Sequence, residues 1–290
     1  MKIVTHSGTY HADDVFAVAA LLLLYPDAEV ARSRDPEVIN SADIVVDVGR
    51  EHNPARRRFD HHQEGGAGVR PNGIPYASFG LVWKEFGEKL AGSKEAWELI
   101  EERLAMPIDA LDNGMEIAKP VVEHIRPYSI SDFLYSFLSH DNATEMSLYE
   151  TFMKVVKLTK ELLAREIDRA KEVITGMEEV KKILDSTEDK GVIIFDKELP
   201  WPRVLVPHPG VLFVVSPRKE GDWGVRSVRV KLDGFEFKKL LPLEWAGKVG
   251  QELENATGVP GATFCHRGRF LIVVKDKEGA IKLAYKALEI

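Results

Sequence analysis

Lys2–Leu24 reads KIVTHSGTYHADDVFAVAALLLL, and the order of patterns within it sets the fold class. Lys2–Thr5 reads as a short strand, while Val15–Leu24 is rich in Ala and Leu without β-branched alternation and so reads as a buried helix. Residues 6–14 are the loop between them. Ala42–Val48 (ADIVVDV) then reads as a fully buried strand, with Asp47 near the carboxyl end, where parallel α/β sheets place their ligands. Arg58–His62 follows a polar turn containing Pro54, and Ser78–Leu90 and Lys94–Leu111 carry helical periodicity. Strands alternating with helices specify an α/β fold with a parallel sheet.

Ser147–Ser186 is polar-rich, with apolar residues spaced for one or two long helices, and reads as a connector. Beyond it, Gly191–Asp196, Val204–Val206, Val211–Ser216 and Val225–Leu232 read as short strands. Trp245–Thr257 reads as helix, Phe270–Lys275 as extended chain and Ala280–Leu288 as helix. The expected organisation is a catalytic domain over residues 1–146, a helical connector over 147–189 and a smaller α+β domain over 190–290.

The chain has 290 residues with 44% hydrophobic content, enough for a sizeable core. Its longest apolar stretch, Val15–Tyr25, is about half of the roughly 20 residues that span a bilayer. No signal segment is read at Met1–Thr9, so the expectation is a cytoplasmic protein without a membrane partner. Cys265 is the single cysteine, which excludes an intrachain disulfide and a thiolate cage. Any metal must be held by nitrogen and oxygen.

The net charge of −7 argues against a general nucleic-acid coating protein, but it is unevenly spread. Lys190–Ile290 carries 17 Lys and Arg against 12 Asp and Glu, leaving 22 against 34 in residues 1–189. An acidic part suits cations and a basic part suits an anionic substrate; charge that merely keeps the protein soluble is the alternative.

Four segments concentrate the chemistry. THSGTYHADD (Thr5–Asp14) offers His6, His11, Asp13 and Asp14 directly after a strand, and a loop leaving a strand can aim several ligands at one cation. Asp14 reads better as a residue of the helix N-terminus, complementing its dipole. Asp47 ends an apolar run with a carboxylate, as a bridging ligand would, or opens the turn at Gly49. In FDHHQ (Phe59–Gln63), adjacent imidazoles on an extended chain point to opposite faces, so His61 and His62 should do different jobs. One binds metal, the other donates to a phosphate oxygen, and Asp60 orients a ring. IDALDNG (Ile108–Gly114) places Asp109 and Asp112 near one helix face, either able to complete a second cation's shell, or Asp112 ends the helix. Two cations in such a site would activate water and clamp the oxygens of a phosphoryl transfer. The ligand set suits manganese best and leaves Mg, Fe, Co and Zn open.

The motifs, in this order, resemble the DHH phosphoesterase superfamily. THSGTYHADD, RFDHHQ, IDALDNG and the late WAG and ATFCH elements are similar to its melanocyte-proliferating-gene branch, once catalogued as metal-dependent protein hydrolases and now regarded as 3′-to-5′ exonucleases. The resemblance covers nearly the whole chain. It implies a DHH-type amino-terminal domain with a dinuclear centre held by His6, His11, Asp13, Asp47, His61 and Asp112, with His62 on the scissile phosphate. His11 stands where the wider superfamily has an aspartate, which bears on metal preference. The absence of an organellar targeting extension suggests a bacterial or archaeal cytoplasm. The carboxyl-terminal domain would grip substrate, with Arg218, Arg226, Arg229, His266 and Arg267 as phosphate contacts and Trp223 as a stacking platform or a core anchor. Cys265 reads as a small buried hydrophobe.

The expected activity is metal-dependent removal of nucleotides from single-stranded RNA or DNA, or from a short oligonucleotide. A small-molecule phosphohydrolase (inorganic pyrophosphatase or cyclic-dinucleotide phosphodiesterase) and a catalytically idle nucleic-acid-binding module are the rivals. A metallopeptidase is disfavoured, since no HExxH helix is present. Homo-oligomerisation is left open.

Overall fold

The computed structural model describes residues 1–138 and 144–290. The chain divides into two compact units, Met1–Glu172 and Val173–Ile290.

In the first unit, β1 (Lys2–Thr5) runs into α1 (Ala12–Leu24), followed by β2 (Glu29–Arg32), α2 (Pro36–Asn40), β3 (Ile44–Val46), β4 (His52–Asn53) and β5 (Arg58–Phe59). The strands form one sheet in the order β2-β1-β3-β5-β4. The first four in that order are parallel, and β4 pairs antiparallel with β5 at the edge. The sheet is therefore mostly parallel, as the pattern of strands and helices implied, with one antiparallel strand at its edge. A strand of two residues directly before β5 can only fold back on it, because a parallel crossover needs a dozen residues or more.

Nearly all of α1 is buried, as its Ala- and Leu-rich composition requires. It packs on α3 (Ser78–Ala91), where the Phe16 and Phe79 rings lie 5.2 Å apart. α4 (Lys94–Ile100) is locked to α3 by a reciprocal pair: Trp83 Nε1 donates to the Trp97 carbonyl at 3.3 Å and Trp97 Nε1 to the Trp83 carbonyl at 3.0 Å. The expected helix Lys94–Leu111 is interrupted by a π turn at Glu101–Ala105 before α5 (Met106–Asp112). Pro107 has no N–H for the carbonyl four residues earlier, which favours a widened turn there. α6 (Ile130–Tyr135) follows, and then α7, one unbroken helix over Glu145–Ser186.

In the second unit, β6 (Val192–Ile194), α8 (Pro202–Leu205), β7 (Phe213–Pro217), β8 (Trp223–Ser227), α9 (Gly250–Thr257), β9 (Ala262–Cys265), β10 (Leu271–Val274) and α10 (Lys277–Glu289) build a mixed sheet of order β6-β7-β8-β10-β9. One buried cluster joins Phe213, Val215, Val225, Ile272 and Val274 to Leu253, Leu283 and Ala287 of α9 and α10. Another joins Val214 to Val180, Leu184, Leu205 and Val211.

Val204–Val206, expected as a strand, is instead helical in and just after α8. Pro202 in the first turn presets the helical φ, which outweighs the β preference of two valines. β8 ends at Ser227, short of the expected Leu232, and the helix expected from Trp245 starts at Gly250 after a short 3-10 turn at Leu243–Trp245. Gly247 and Gly250, both at positive φ, break it. Among the described residues, no helix is long and apolar enough to cross a membrane.

Candidate metal centre

β1, β3 and β5 are neighbours in one sheet and parallel, so the residues leaving their carboxyl ends converge on one edge. His6 follows β1, Asp47 follows β3 and Asp60 follows β5. Asp47 adopts a left-handed conformation, φ +56°, which a non-glycine residue holds only when its surroundings impose it. Its N–H donates to the Phe59 carbonyl at 3.0 Å and its Oδ1 accepts from Ser78 Oγ at 2.8 Å, so backbone and side chain are both pinned. The Ser78 N–H, at the start of α3, also donates to Asp13 Oδ2 at 3.2 Å.

Asp47 faces two imidazoles with its two oxygens. Oδ2 lies 3.3 Å from His6 Nε2 and Oδ1 lies 3.4 Å from His61 Nε2. His6 Nε2 is also 3.2 Å from Asp14 Oδ2, and His61 Nε2 is 3.2 Å from Asp112 Oδ2 and 3.8 Å from Asp13 Oδ2. Ligand atoms of His6, His11 and Asp47 lie within 4.8 Å of one another, and so do those of Asp47, His61 and His62 and those of His11, Asp13 and Asp112. Every residue expected to ligate a metal is thus in one cluster, with Asp47 and His11 each shared between two of the groups.

Asp14 does what its position suggested and something more. Its Oδ1 accepts the His11 N–H at 2.9 Å, closing the first turn of α1, while its Oδ2 points at His6. Asp109 stands apart from the cluster, held by Arg70 Nη2 at 2.7 Å and by the Gly80 N–H at 3.0 Å.

The electrostatics are those of ligands crowded together. Burial lowers His6, but Asp14 and Asp47 on its Nε2 outweigh this and raise it to about 10. Burial likewise lowers His61, and Asp112 and Asp47 overcome it, again to about 10. Burial would raise Asp47, but the two imidazoles hold it well below the usual carboxylate range. Asp13 is pushed far up by burial and by the carboxylates of Asp47 and Asp112. His6 Nε2, His61 Nε2, Asp13 Oδ1, Asp14 Oδ2 and Asp47 Oδ2 are all buried without a geometrically sound hydrogen bond among the described residues. An unsatisfied buried polar atom costs on the order of 1–3 kcal/mol, and five converging on one place fit a bound cation. Imidazole and carboxylate form a nitrogen-and-oxygen donor set for a first-row divalent metal.

Asp60 and His62 stand beside these atoms. Asp60 Oδ1 accepts the His62 N–H at 3.1 Å and lies 2.8 Å from His62 Nδ1, while its Oδ2 accepts the Arg50 N–H at 2.6 Å. The His61 and His62 rings do not point to opposite faces as an extended chain would have them: their centroids are 4.3 Å apart, and they differ in exposure, 9% for the His61 side chain against 54% for His62. Asp60 raises the His62 pKa, partly offset by burial.

Of the expected phosphate contacts of the second unit, two line one cavity and His266 packs beside it, its ring 4.1 Å from that of Phe270. Arg226 and Arg229 line a cavity of 820 Å³ with Phe235, Phe237 and Phe270, whereas Arg218, His266 and Arg267 do not. Arg218 is engaged by Asp222 at 3.2 Å and Glu220 at 3.3 Å. His266 Nδ1 accepts the Gly268 N–H at 2.9 Å, and Arg267 is exposed. Trp223 packs, half-buried, against the core of this unit.

A family model named for the MYG1 exonuclease, described as an uncharacterised protein family (UPF0160), matches residues 2–288. The chain belongs to this family. It is 29% identical to the MYG1 exonuclease of Homo sapiens over 99% of this chain and 85% of that one. Similarity to a MYG1 protein of Dictyostelium discoideum is also 29%, over 99% of this chain and 96% of that one. A MYG1 protein of Chlamydia trachomatis is 29% identical over 94% of this chain and 92% of its own. Family members thus occur in eukaryotes and bacteria, and relatives named exonuclease support a hydrolase of the nuclease type.

Two residues that touch the cluster, Ser78 and Arg34, escaped the sequence reading, and Asp14, read only as a helix-terminal residue, also presents Oδ2 to His6. Arg34 Nη2 lies 3.2 Å from His6 Nδ1. An Arg in a run of turn residues carries no local signal, and Ser78 looks like any residue opening a helix.

Proposed function

We propose that this protein is a divalent-metal-dependent exonuclease that removes nucleotides 3′-to-5′ from single-stranded RNA or DNA. The observation that carries the reading is Asp47, whose two carboxylate oxygens face His6 and His61 separately, as a ligand bridging two cations would. His6, His11 and Asp47, with Asp14 adjacent, would hold one cation; Asp13, Asp47, His61 and Asp112 would hold the other, with manganese the preferred metal. Bound there, the pair supplies an activated water and charge neutralisation at the phosphate. His62 Nδ1 is engaged by Asp60, which leaves Nε2 as the free ring nitrogen on a half-exposed side chain. That nitrogen is suited to donate a proton to the leaving 3′ oxygen. Asp60 keeps the ring oriented and its charged form favoured. The exonuclease names of the relatives support nucleic acid as the substrate class.

The test is hydrolysis of 5′-labelled single-stranded RNA and DNA by metal-stripped protein resupplied with Mn²⁺, beside pyrophosphate and a cyclic dinucleotide. A descending ladder, abolished by Asp47→Ala and His61→Ala, is the expected result. Immediate release of labelled mononucleotide would reverse the polarity. Turnover of the small molecules without a ladder would replace the reading by a small-molecule phosphohydrolase. Tight oligonucleotide binding without any turnover would indicate a binding module.

A further inference from the structure

The metal cluster opens into two distinct cavities that share His11 and His62. One, of 740 Å³, is lined by His61, Asp112, Asn113, Arg126, Ser129, Ser131 and Tyr135 among others. The other, of 430 Å³, runs past His6 and Asp47 to Arg34, Pro36, Ile39, Asn40, Val48, Gly49 and Arg50. Their cations differ in kind. Arg126 is neutralised by Asp132 through bonds of 2.8 and 3.1 Å. Neither Arg34 nor Arg50 has an ion-pair partner among the described residues. Asp35, the nearest carboxylate in sequence to Arg34, caps α2 instead, its Oδ1 accepting the Glu37 N–H at 2.8 Å. Arg50 leaves a left-handed backbone, φ +54°, whose N–H is pinned to Asp60, so the root of its side chain is fixed at the rim.

We propose that the smaller cavity is a one-nucleotide subsite for the terminal nucleotide, with Arg34 and Arg50 binding the phosphate that leaves with it. The inference rests on the exonuclease reading and adds the place of the leaving nucleotide. A volume of 430 Å³ is near the lower end of the range for small-molecule pockets, roughly 300–1,000 Å³, and suits one nucleotide, not several. Pro36, Ile39 and Val48 give the base and ribose an apolar wall, Asn40 adds a donor and an acceptor, and two guanidinium groups that face no carboxylate among the described residues complement a phosphate, Arg34 Nη2 also lying 3.2 Å from His6 Nδ1. The junction lies at His62. Attack of water on phosphorus breaks the P–O3′ bond; O3′ departs on the retained strand with the proton from His62, and the phosphate stays on the released nucleotide as a 5′-monophosphate. The retained strand then occupies the 740 Å³ arm and the product the arm of Arg34.

The experiment measures binding of adenosine 5′-monophosphate to the full-length, Mn²⁺-loaded protein by calorimetry, and KM for a labelled decanucleotide, in wild type, Arg34→Ala, Arg34→Lys and Ile39→Trp. Arg34→Ala is expected to weaken the monophosphate at least 10-fold and raise KM, with metal content by elemental analysis unchanged. Arg34→Lys should recover part of the loss. Ile39→Trp, which fills the arm and keeps both arginines, should reproduce it. Unchanged affinity and KM in both Arg34→Ala and Ile39→Trp, or loss of metal in place of loss of the monophosphate, would overturn the subsite. A ladder that is indifferent to both substitutions defeats the subsite and leaves the exonuclease reading intact. Arg34-dependent monophosphate binding without a ladder defeats the exonuclease reading and leaves the subsite.

Discussion

Asp60 Oδ1 holds His62 twice, through the backbone N–H at 3.1 Å and through ring Nδ1 at 2.8 Å. The ring orientation and its proton affinity therefore depend on one carboxylate. Asp60→Asn keeps the shape but removes the charge that raises the His62 pKa. The expected outcome is a rate about 10- to 100-fold lower with metal content retained. Because protonated His62 is the active form in the proposed step, the loss of rate on the alkaline side should also move to lower pH. His62→Ala, which deletes the donor, should lose about 10²- to 10⁴-fold and show no such alkaline limb. Rate–pH profiles of the two variants beside wild type, with metal content by elemental analysis, check both statements.

The metal-free protein should release protons as it takes up metal. His6 and His61 are raised to about 10, so both carry a proton on the metal-free cluster at neutral pH. A cation ligand must give that proton up. Calorimetric titration with Mn²⁺ at pH 7.5 in buffers of different ionisation enthalpy should reveal net proton release, and affinity should strengthen with pH. Release of no protons would contradict the cluster as described.

Stability of the metal-free protein carries the same signature with the sign fixed. Folding raises these two imidazoles above their ordinary value of 6.5, so their contribution is complete below that pH and is lost as pH rises through about 10. The melting temperature without metal should fall across this window. With saturating Mn²⁺ the fall should be smaller, because binding to the folded state adds stability that grows as protons leave.

These behaviours trace to residues that differ in how legible they are from sequence. His6, Asp47, Asp60, His61 and His62 sit just after strand ends and His11 and Asp13 open α1, places where chemistry-bearing residues stand out against apolar runs. Asp112 is 50 residues beyond His62; its motif offered Asp109 equally, and only the family resemblance singled it out. Arg34 and Ser78 are invisible for a different reason: their roles exist only after the β2–α2 connection and the start of α3 have been brought to the sheet edge. The same limit governs the fold. The long apolar and amphipathic stretches declared α1, α3, α7 and α10 because periodicity is a property of the local chain. β2, α2, β4 and β9 are five residues or fewer, too short for a period to emerge, and at Val204–Val206 a proline in the turn outweighed β-branching.

Asp13 illustrates a site built against the stability of its own fold. Burial and the carboxylates of Asp47 and Asp112 push its pKa far up, so charge on Asp13 is unfavourable until a cation arrives. Asp13→Asn removes that charge and leaves an amide oxygen able to accept the Ser78 N–H now bonded at 3.2 Å. The expected result is a metal-free protein at least as stable as wild type at pH 8, with weakened Mn²⁺ stabilisation and loss of activity. Thermal melts with and without Mn²⁺ would decide it; a variant less stable without metal would show that Asp13 serves the fold instead.

Arg70, by contrast, should be indispensable to the fold. It is 4% exposed, with Nε on Glu101 at 2.5 Å, Nη2 on Asp109 at 2.7 Å and its guanidinium 4.0 Å above the Tyr76 ring. Arg70→Met replaces the stem but leaves two buried carboxylates without their cation, a loss of about 3–5 kcal/mol. Burial already raises Asp109 to about 7 despite Arg70, so removing the arginine pushes it higher still. The variant's deficit should then be greatest at pH 8, where that carboxyl must be charged or bind a proton from a dilute pool, and smaller at pH 5.5, where protonation relieves it. Denaturant melts of the first unit's signal at both pH values test this, and an equal deficit at the two would place the cost in packing over Tyr76, not in charge.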